Sequence, residues 1–155
     1  MPVPVIAHSI EVRTSPVHGR GVYAIRRLPK GTCIGVYEGR RYTSEQLLKI
    51  DWKKRHGGMT YLFSLSDGTT IDGAQGGNAT RFLNHCCTPN CEAGEETDAN
   101  GQISLRIVTT QAIAEGVELF IDYALTIDES ESPAEYACRC GAPTCRGSMA
   151  APSSP

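Results

Sequence analysis

Two short stretches hold most of the reactive side chains in this sequence. Residues 81–91 read RFLNHCCTPNC, which places three thiols, an imidazole and two amides around one proline. Residues 138–145 read CRCGAPTC, a C-x-C-x4-C spacing close to the C-terminus. Three thiolates on so tight a loop suit Zn2+, and structural zinc takes four ligands in a tetrahedron. No fourth ligand lies near Cys145, so a distant segment has to supply it, and the dense supply is Cys86, Cys87 and Cys91. The spacing therefore predicts a metal staple that fastens the tail over the 81–91 loop. Cys33 stands apart from both groups and reads as a small buried hydrophobe. Taken singly, His85 reads as a core histidine and Asn84 as a turn amide.

Holding these groups in place requires a scaffold, and the pattern around them is mostly β. Short β-prone pieces at 22–25 and 33–38 are separated by glycines and by Leu28-Pro29-Lys30-Gly31, where proline sets φ and glycine permits the reversal. TYLFSLSDGTTIDG (60–73) reads as a hairpin about Asp67-Gly68. ISLRIVT (103–109) alternates Ile103, Leu105 and Ile107 with Ser104 and Arg106, the mark of a half-buried strand. VELFIDY (117–123) is a further strand. One helix is predicted over 44–56, with Thr43 and Gln46 forming a capping box. Leu47/Ile50 and Leu48/Trp52 share one face of it, and Gly57-Gly58 stops it. The last residues, 150–155, are small and prolyl and are expected to be disordered.

The chain's 155 residues suffice for one domain with a core. No apolar run approaches the ~20 residues that span a bilayer, and MPVPVIAHSIEVRTS lacks the plan of a signal peptide. No membrane partner is expected, and the expected setting is intracellular, with export by another route left open. Seven cysteines, an odd number without a secretory signal, favour metal over a disulfide framework. The net charge of −2 conceals a division: 11 of 15 Lys and Arg lie in residues 1–55, whereas 111–138 hold seven acids and no base. The acidic stretch reads either as a solvated surface or as an attractor for a basic peptide. The overall balance argues against direct nucleic-acid reading, which needs a concentrated basic face.

Four blocks, taken in order, resemble the SET-domain protein lysine methyltransferases that carry a post-SET tail. They are HGRGVYA (18–24) followed by Lys30-Gly31 and VYEG (36–39), IDGAQGGNATRFLNHCCTPNC (71–91), GVELFIDY (116–123) and CRCGAPTCRG (138–147). The resemblance implies a mainly β fold: short sheets around a pseudoknot over 8–127, one inserted helix at about 44–56, and a zinc-bound post-SET tail over 134–149. It implies S-adenosylmethionine as cofactor, one structural Zn2+, and a basic protein or peptide substrate, a histone tail being favoured. The setting implied is the nucleus in a eukaryote, and otherwise the cytoplasm or a host cell after export.

The resemblance also assigns roles. Tyr123 falls on the catalytic tyrosine, and Tyr37, Tyr61, Phe63 and Ile121 fall on the lysine channel. Gly19, Arg20, Gly21, Val22, Tyr23, Tyr61, Arg81, Phe82, Asn84, His85 and Tyr123 fall on cofactor positions, with Gly19 and Gly21 letting backbone approach the ligand. Cys87, Cys138, Cys140 and Cys145 fall on the zinc ligands; Cys91 is the runner-up, and Cys86 stands where the family has serine. Val117 replaces a family Glu in what reads as a surface change. Ile121 replaces a ring that tunes how many methyls are added, which implies that di- or trimethylation is permitted. Two other functions fit the same residues: a zinc-clipped SET-like binding module without catalysis, and a methyltransferase for a non-histone protein.

Overall fold

A computed structural model describes residues 8–17, 19–49, 62–123, 138, 140 and 142–148. Among these residues ten strands form three small sheets. Strand β1 (Ile10–Thr14) turns back on β2 (Arg20–Ala24), and β3 (Cys33–Tyr37) and β4 (Arg40–Tyr42) follow. Helix α1 (Ser44–Leu48) leads to the hairpin β5 (Leu62–Ser64) and β6 (Thr70–Asp72). A 3-10 helix (Ala79–Phe82) runs into the two-residue β7 (Asn84–His85). Strands β8 (Cys91–Thr97), β9 (Ile103–Thr109) and β10 (Glu118–Ile121) complete the set. The sheets run β1-β2-β10-β7, β3-β9-β8 and β4-β6-β5, the mainly β architecture expected.

The alternation in ISLRIVT is realised as drawn: Ile103, Leu105, Ile107 and Thr109 are buried and the residues between them are half-exposed. Asp67-Gly68 makes the predicted turn, with Gly68 at φ +90° and the Leu65 amide donating to the Thr69 carbonyl at 2.8 Å. Around Val22, Leu28, Ile34, Ile71, Ile107, Leu119 and Ile121 a common core fills the space between the sheets. Cys33 is fully buried, as its isolation suggested.

The helix differs from expectation. The Thr43–Gln46 capping box forms in both directions, but the helix ends at Leu48, with Lys49 as its C-cap and no buried residue. Leu48 is 87% exposed and Leu47 is half-buried. Residues 50–56, including the partners Ile50 and Trp52, lie outside the described residues, as do the tail 150–155 and all of 124–137. Among the described residues no helix is long and apolar enough to cross a membrane.

One pairing brings the distant blocks together. Strand β7 runs parallel to β10, Phe120 opposite Asn84 and Ile121 opposite His85, while the other edge of β10 pairs antiparallel with β2. Asparagine amides reinforce the junction. Asn90 donates to the Glu118 carbonyl and accepts the Phe120 amide at 2.9 and 2.8 Å, taking the place of a neighbouring strand.

Candidate active site and thiol cluster

At the end of the β7–β10 pair the chain places Tyr123 against His85. The Tyr123 amide donates to His85 Nδ1 at 2.9 Å, the two rings meet edge-on at 5.4 Å, and the Tyr123 hydroxyl donates to the Leu83 carbonyl. Asp122 Oδ1 lies 3.5 Å from the same imidazole nitrogen. The nitrogen accepts the amide proton, so the ring is neutral and carries its proton on Nε2. Burial, helped by the nearby Arg146 charge, pushes the His85 imidazole down and favours the neutral form, against the opposing pull of Asp122. Nε2 then faces Cys87 Sγ at 3.4 Å, an N–H directed at a thiol of the cluster below.

The tail cysteines come to the same place. The sulfurs of Cys87, Cys138, Cys140 and Cys145 all lie within 4.8 Å of one another. Cys87 Sγ stands 3.8 Å from Cys138 Sγ and 3.9 Å from Cys145 Sγ. Tetrahedral Zn–S bonds of about 2.3 Å separate sulfurs by about 3.8 Å, so the set has the dimensions of a zinc site. Its electrostatics agree. At Cys140 burial opposes ionisation, but hydrogen bonds from the Cys87 and Ala142 amides and the neighbouring thiols bring it down to about 6, whereas burial pushes Cys87 and Cys138 up. One sulfur ionises readily and the next resist, and a dication among them removes that repulsion. Cys91 stays outside the cluster: it is buried in β8 and its thiol is pushed up to about 12 by burial. Cys86 is also buried, beside Thr88 rather than the tail.

A salt bridge joins cluster to tyrosine. The Arg146 guanidinium grips Asp122 with two bonds of 2.8 and 3.0 Å, and the Arg146 amide donates to Cys87 Sγ at 3.3 Å. Residues 122 and 146 thus hold the tail loop and the Tyr123 segment as one body.

The remaining predicted residues fall on two sides. Tyr37 is buried, its ring edge-on to Phe63 at 4.5 Å, and a side chain at Gly73 would strike its hydroxyl. Ile121 is 2% exposed, beside His85 in the β7–β10 pair. Tyr61 lies outside the described residues. On the other side, Gly19 turns through φ +44° with open space around it, and Arg20 and Arg81 stand 5.9 and 4.6 Å from the Phe82 ring. Val22 is core, paired on both edges with Val12 and Leu119, which makes it part of the sheet. Tyr23 points its hydroxyl at Glu118 Oε1 at 3.1 Å.

Gly21 has a reason that its sequence context did not suggest. A Cβ there would sit 2.3 Å from Glu118 Oε2, so the glycine makes room for a carboxylate of this chain. Glu118 itself escaped the sequence reading, where it counted among seven acids of a charged stretch. Only its place one residue before a buried leucine in VELFIDY hinted at strand alternation.

Comparison with known proteins agrees with this geometry. The family described as SET domain matches residues 19–124. A histone-lysine N-methyltransferase, H3 lysine-4 specific, of Mycosarcoma maydis is 35% identical over 135 residues, 85% of this chain and 9% of its own length. The protein of the same description in Saccharomyces cerevisiae is 33% identical over 135 residues, 86% of this chain and 12% of its own. Histone-lysine N-methyltransferase trithorax of Drosophila melanogaster is 32% identical over 138 residues, 88% of this chain and 4% of its own. The chain thus spans a small part, at most 12%, of these curated relatives.

Proposed function

We propose a function from one premise: the chain belongs to the SET-domain family. It is an S-adenosylmethionine-dependent protein-lysine N-methyltransferase whose substrate is a basic, histone-like tail, and acting on chromatin it works in the nucleus. The observation that carries this reading is the parallel β7–β10 pair, which seats the Tyr123 hydroxyl on the Leu83 carbonyl beside His85.

When bound, S-adenosylmethionine supplies an electrophilic sulfonium methyl. The chain's residues fit it: segments 19–23 and 81–85, with Tyr123, would hold the cofactor. Gly19 offers backbone at a positive φ in open space, and Arg20 and Arg81 offer cationic edges for a carboxylate. Tyr123, its proton committed to Leu83, presents its oxygen as acceptor to an incoming amine and so aims the amine's lone pair. The lysine has to arrive neutral although its ordinary pKa is about 10.4. Apolar walls at Phe63 and Ile121, stiffened by Tyr37, favour the uncharged amine by excluding water. Cys87, Cys138, Cys140 and Cys145 would hold one Zn2+, fastening the tail beside the Tyr123 segment.

Titration calorimetry with S-adenosylmethionine tests the reading. Saturable one-site binding by the zinc-loaded chain is expected. A protein that serves only as a zinc-clipped docking module has no reason to bind it, and absent heat with a folded sample discards the proposal.

A further inference from the structure

We infer that Glu118 is a positioning residue for the cofactor: its buried carboxylate sets Ser15 and the 19–21 segment against Asn84–His85 without touching the ligand. The inference rests on the functional reading above, in which these two segments border S-adenosylmethionine.

Glu118 is 8% exposed, and a carboxylate at that depth is costly unless its oxygens are filled. Three segments fill them. Ser15 Oγ lies 2.8 Å from Oε1 and 2.9 Å from Oε2, the Tyr23 hydroxyl donates to Oε1 at 3.1 Å, and Asn84 Nδ2 donates to Oε2 at 3.0 Å. All three partners are donors here, and a carboxylate, which only accepts, satisfies them together where an amide cannot. The same Asn84 Nδ2 donates to the Arg20 carbonyl at 3.0 Å, so carboxylate and amide together clamp the backbone next to Gly19. On the loop side the Ser15 amide donates to the Gly19 carbonyl at 2.8 Å, closing the turn that gives Gly19 its φ of +44°. Gly21 completes the fit, since any side chain there would meet Oε2 at 2.3 Å and Cδ at 2.8 Å.

This arrangement explains three features with one carboxylate. Gly21 lacks a side chain to admit it, Ser15 and Tyr23 turn inward to bind it, and Asn84 is held against the Arg20 carbonyl next to Gly19. Moving the carboxylate shifts the loop relative to Asn84, and a cofactor that spans both loses contacts on one side.

The test uses the zinc-loaded chain, S-adenosylmethionine calorimetry, steady-state kinetics on core histones, and a thermal melt for each variant. Glu118→Ala and Gly21→Ala each weaken S-adenosylmethionine about tenfold, the scale of a lost charge-assisted hydrogen bond. Ser15→Ala, which removes one donor and keeps the carboxylate, weakens it about threefold and stands in if Glu118→Ala does not fold. The KM for S-adenosylmethionine rises by the same factors, and the KM for histone stays within about twofold. Because truncation at 118 removes the clash at 21, Gly21→Ala/Glu118→Ala loses less than the product of the single effects. Lowered melting with wild-type affinity in the folded variants overturns the inference, because Glu118 then serves the fold alone. If wild type binds no S-adenosylmethionine, the functional reading falls and takes this inference with it; if wild type binds and the variants match it, only the inference falls.

Discussion

Replacing Arg146 with alanine probes how the tail is held. Its guanidinium makes two bonds to Asp122, at 2.8 and 3.0 Å, and the side chains are 24% and 30% exposed. Hydrogen bonds between charged groups contribute about 1.5–3 kcal/mol each when dry. Partial exposure screens them, so about 2 kcal/mol for the pair is a fair figure. The contact exists only with the tail docked, and docking is what brings the other three thiols to Cys87. Loss of about 2 kcal/mol from the docked form then weakens zinc about thirtyfold. Arg146→Lys keeps the charge but not the fork and should fall between alanine and wild type. The assay is competition for Zn2+ with a chromogenic chelator, run beside a thermal melt. Retention of zinc by Arg146→Ala within about twofold of wild type would refute the reasoning, because the salt bridge would then be ornamental to the clip.

Other outcomes follow from the same geometry. Cys91, buried and pushed up to about 12, should resist iodoacetamide in the native protein at pH 8 and react in denaturant, as read by peptide mass spectrometry. Between about pH 9, where the unfolded thiol ionises, and about pH 12, where the folded one does, the folded chain keeps a proton the unfolded chain releases; stability drops across that window, and Cys91→Ser should flatten the drop in denaturation curves. Gly39→Ala would put a Cβ 2.1 Å from the Asp72 carbonyl oxygen and 2.9 Å from the Gly73 amide, so it should cost about 3 kcal/mol in chemical denaturation; an unchanged midpoint would contradict that packing. Ile121→Tyr puts a hydroxyl beside the proposed lysine channel and should shift products toward monomethyl-lysine, whereas an identical product ladder by mass spectrometry removes Ile121 from that role.

Local pattern carried the strands and the thiols. Alternation in ISLRIVT reports burial residue by residue because successive side chains face opposite sides of a sheet. C-x-C-x4-C reports a metal loop because three thiols so close need a cation, and the demand for a fourth ligand pointed back to 86–91 before any pairing was visible. What stayed hidden was long-range and polar. Glu118 meets partners 103, 95 and 34 positions away, and nothing beside it in sequence separates a clamped carboxylate from a solvated one. Asp122 read as another acid of the charged stretch until Arg146, 24 positions on, was found against it. Gly21 was read as letting backbone approach a ligand, and nothing local showed that a side chain there would also strike Glu118. The cap of the helix is local, and the Thr43–Gln46 box was legible in the sequence.

Transfer of a labelled methyl group from S-adenosylmethionine to core histones, wild type against Tyr123→Phe, tests the central claim most directly. Label on lysine with the wild-type chain, and little or none with Tyr123→Phe although it still binds cofactor, is the predicted result. Equal label from both proteins, or none from a wild type that is folded, zinc-loaded and cofactor-bound, would contradict it.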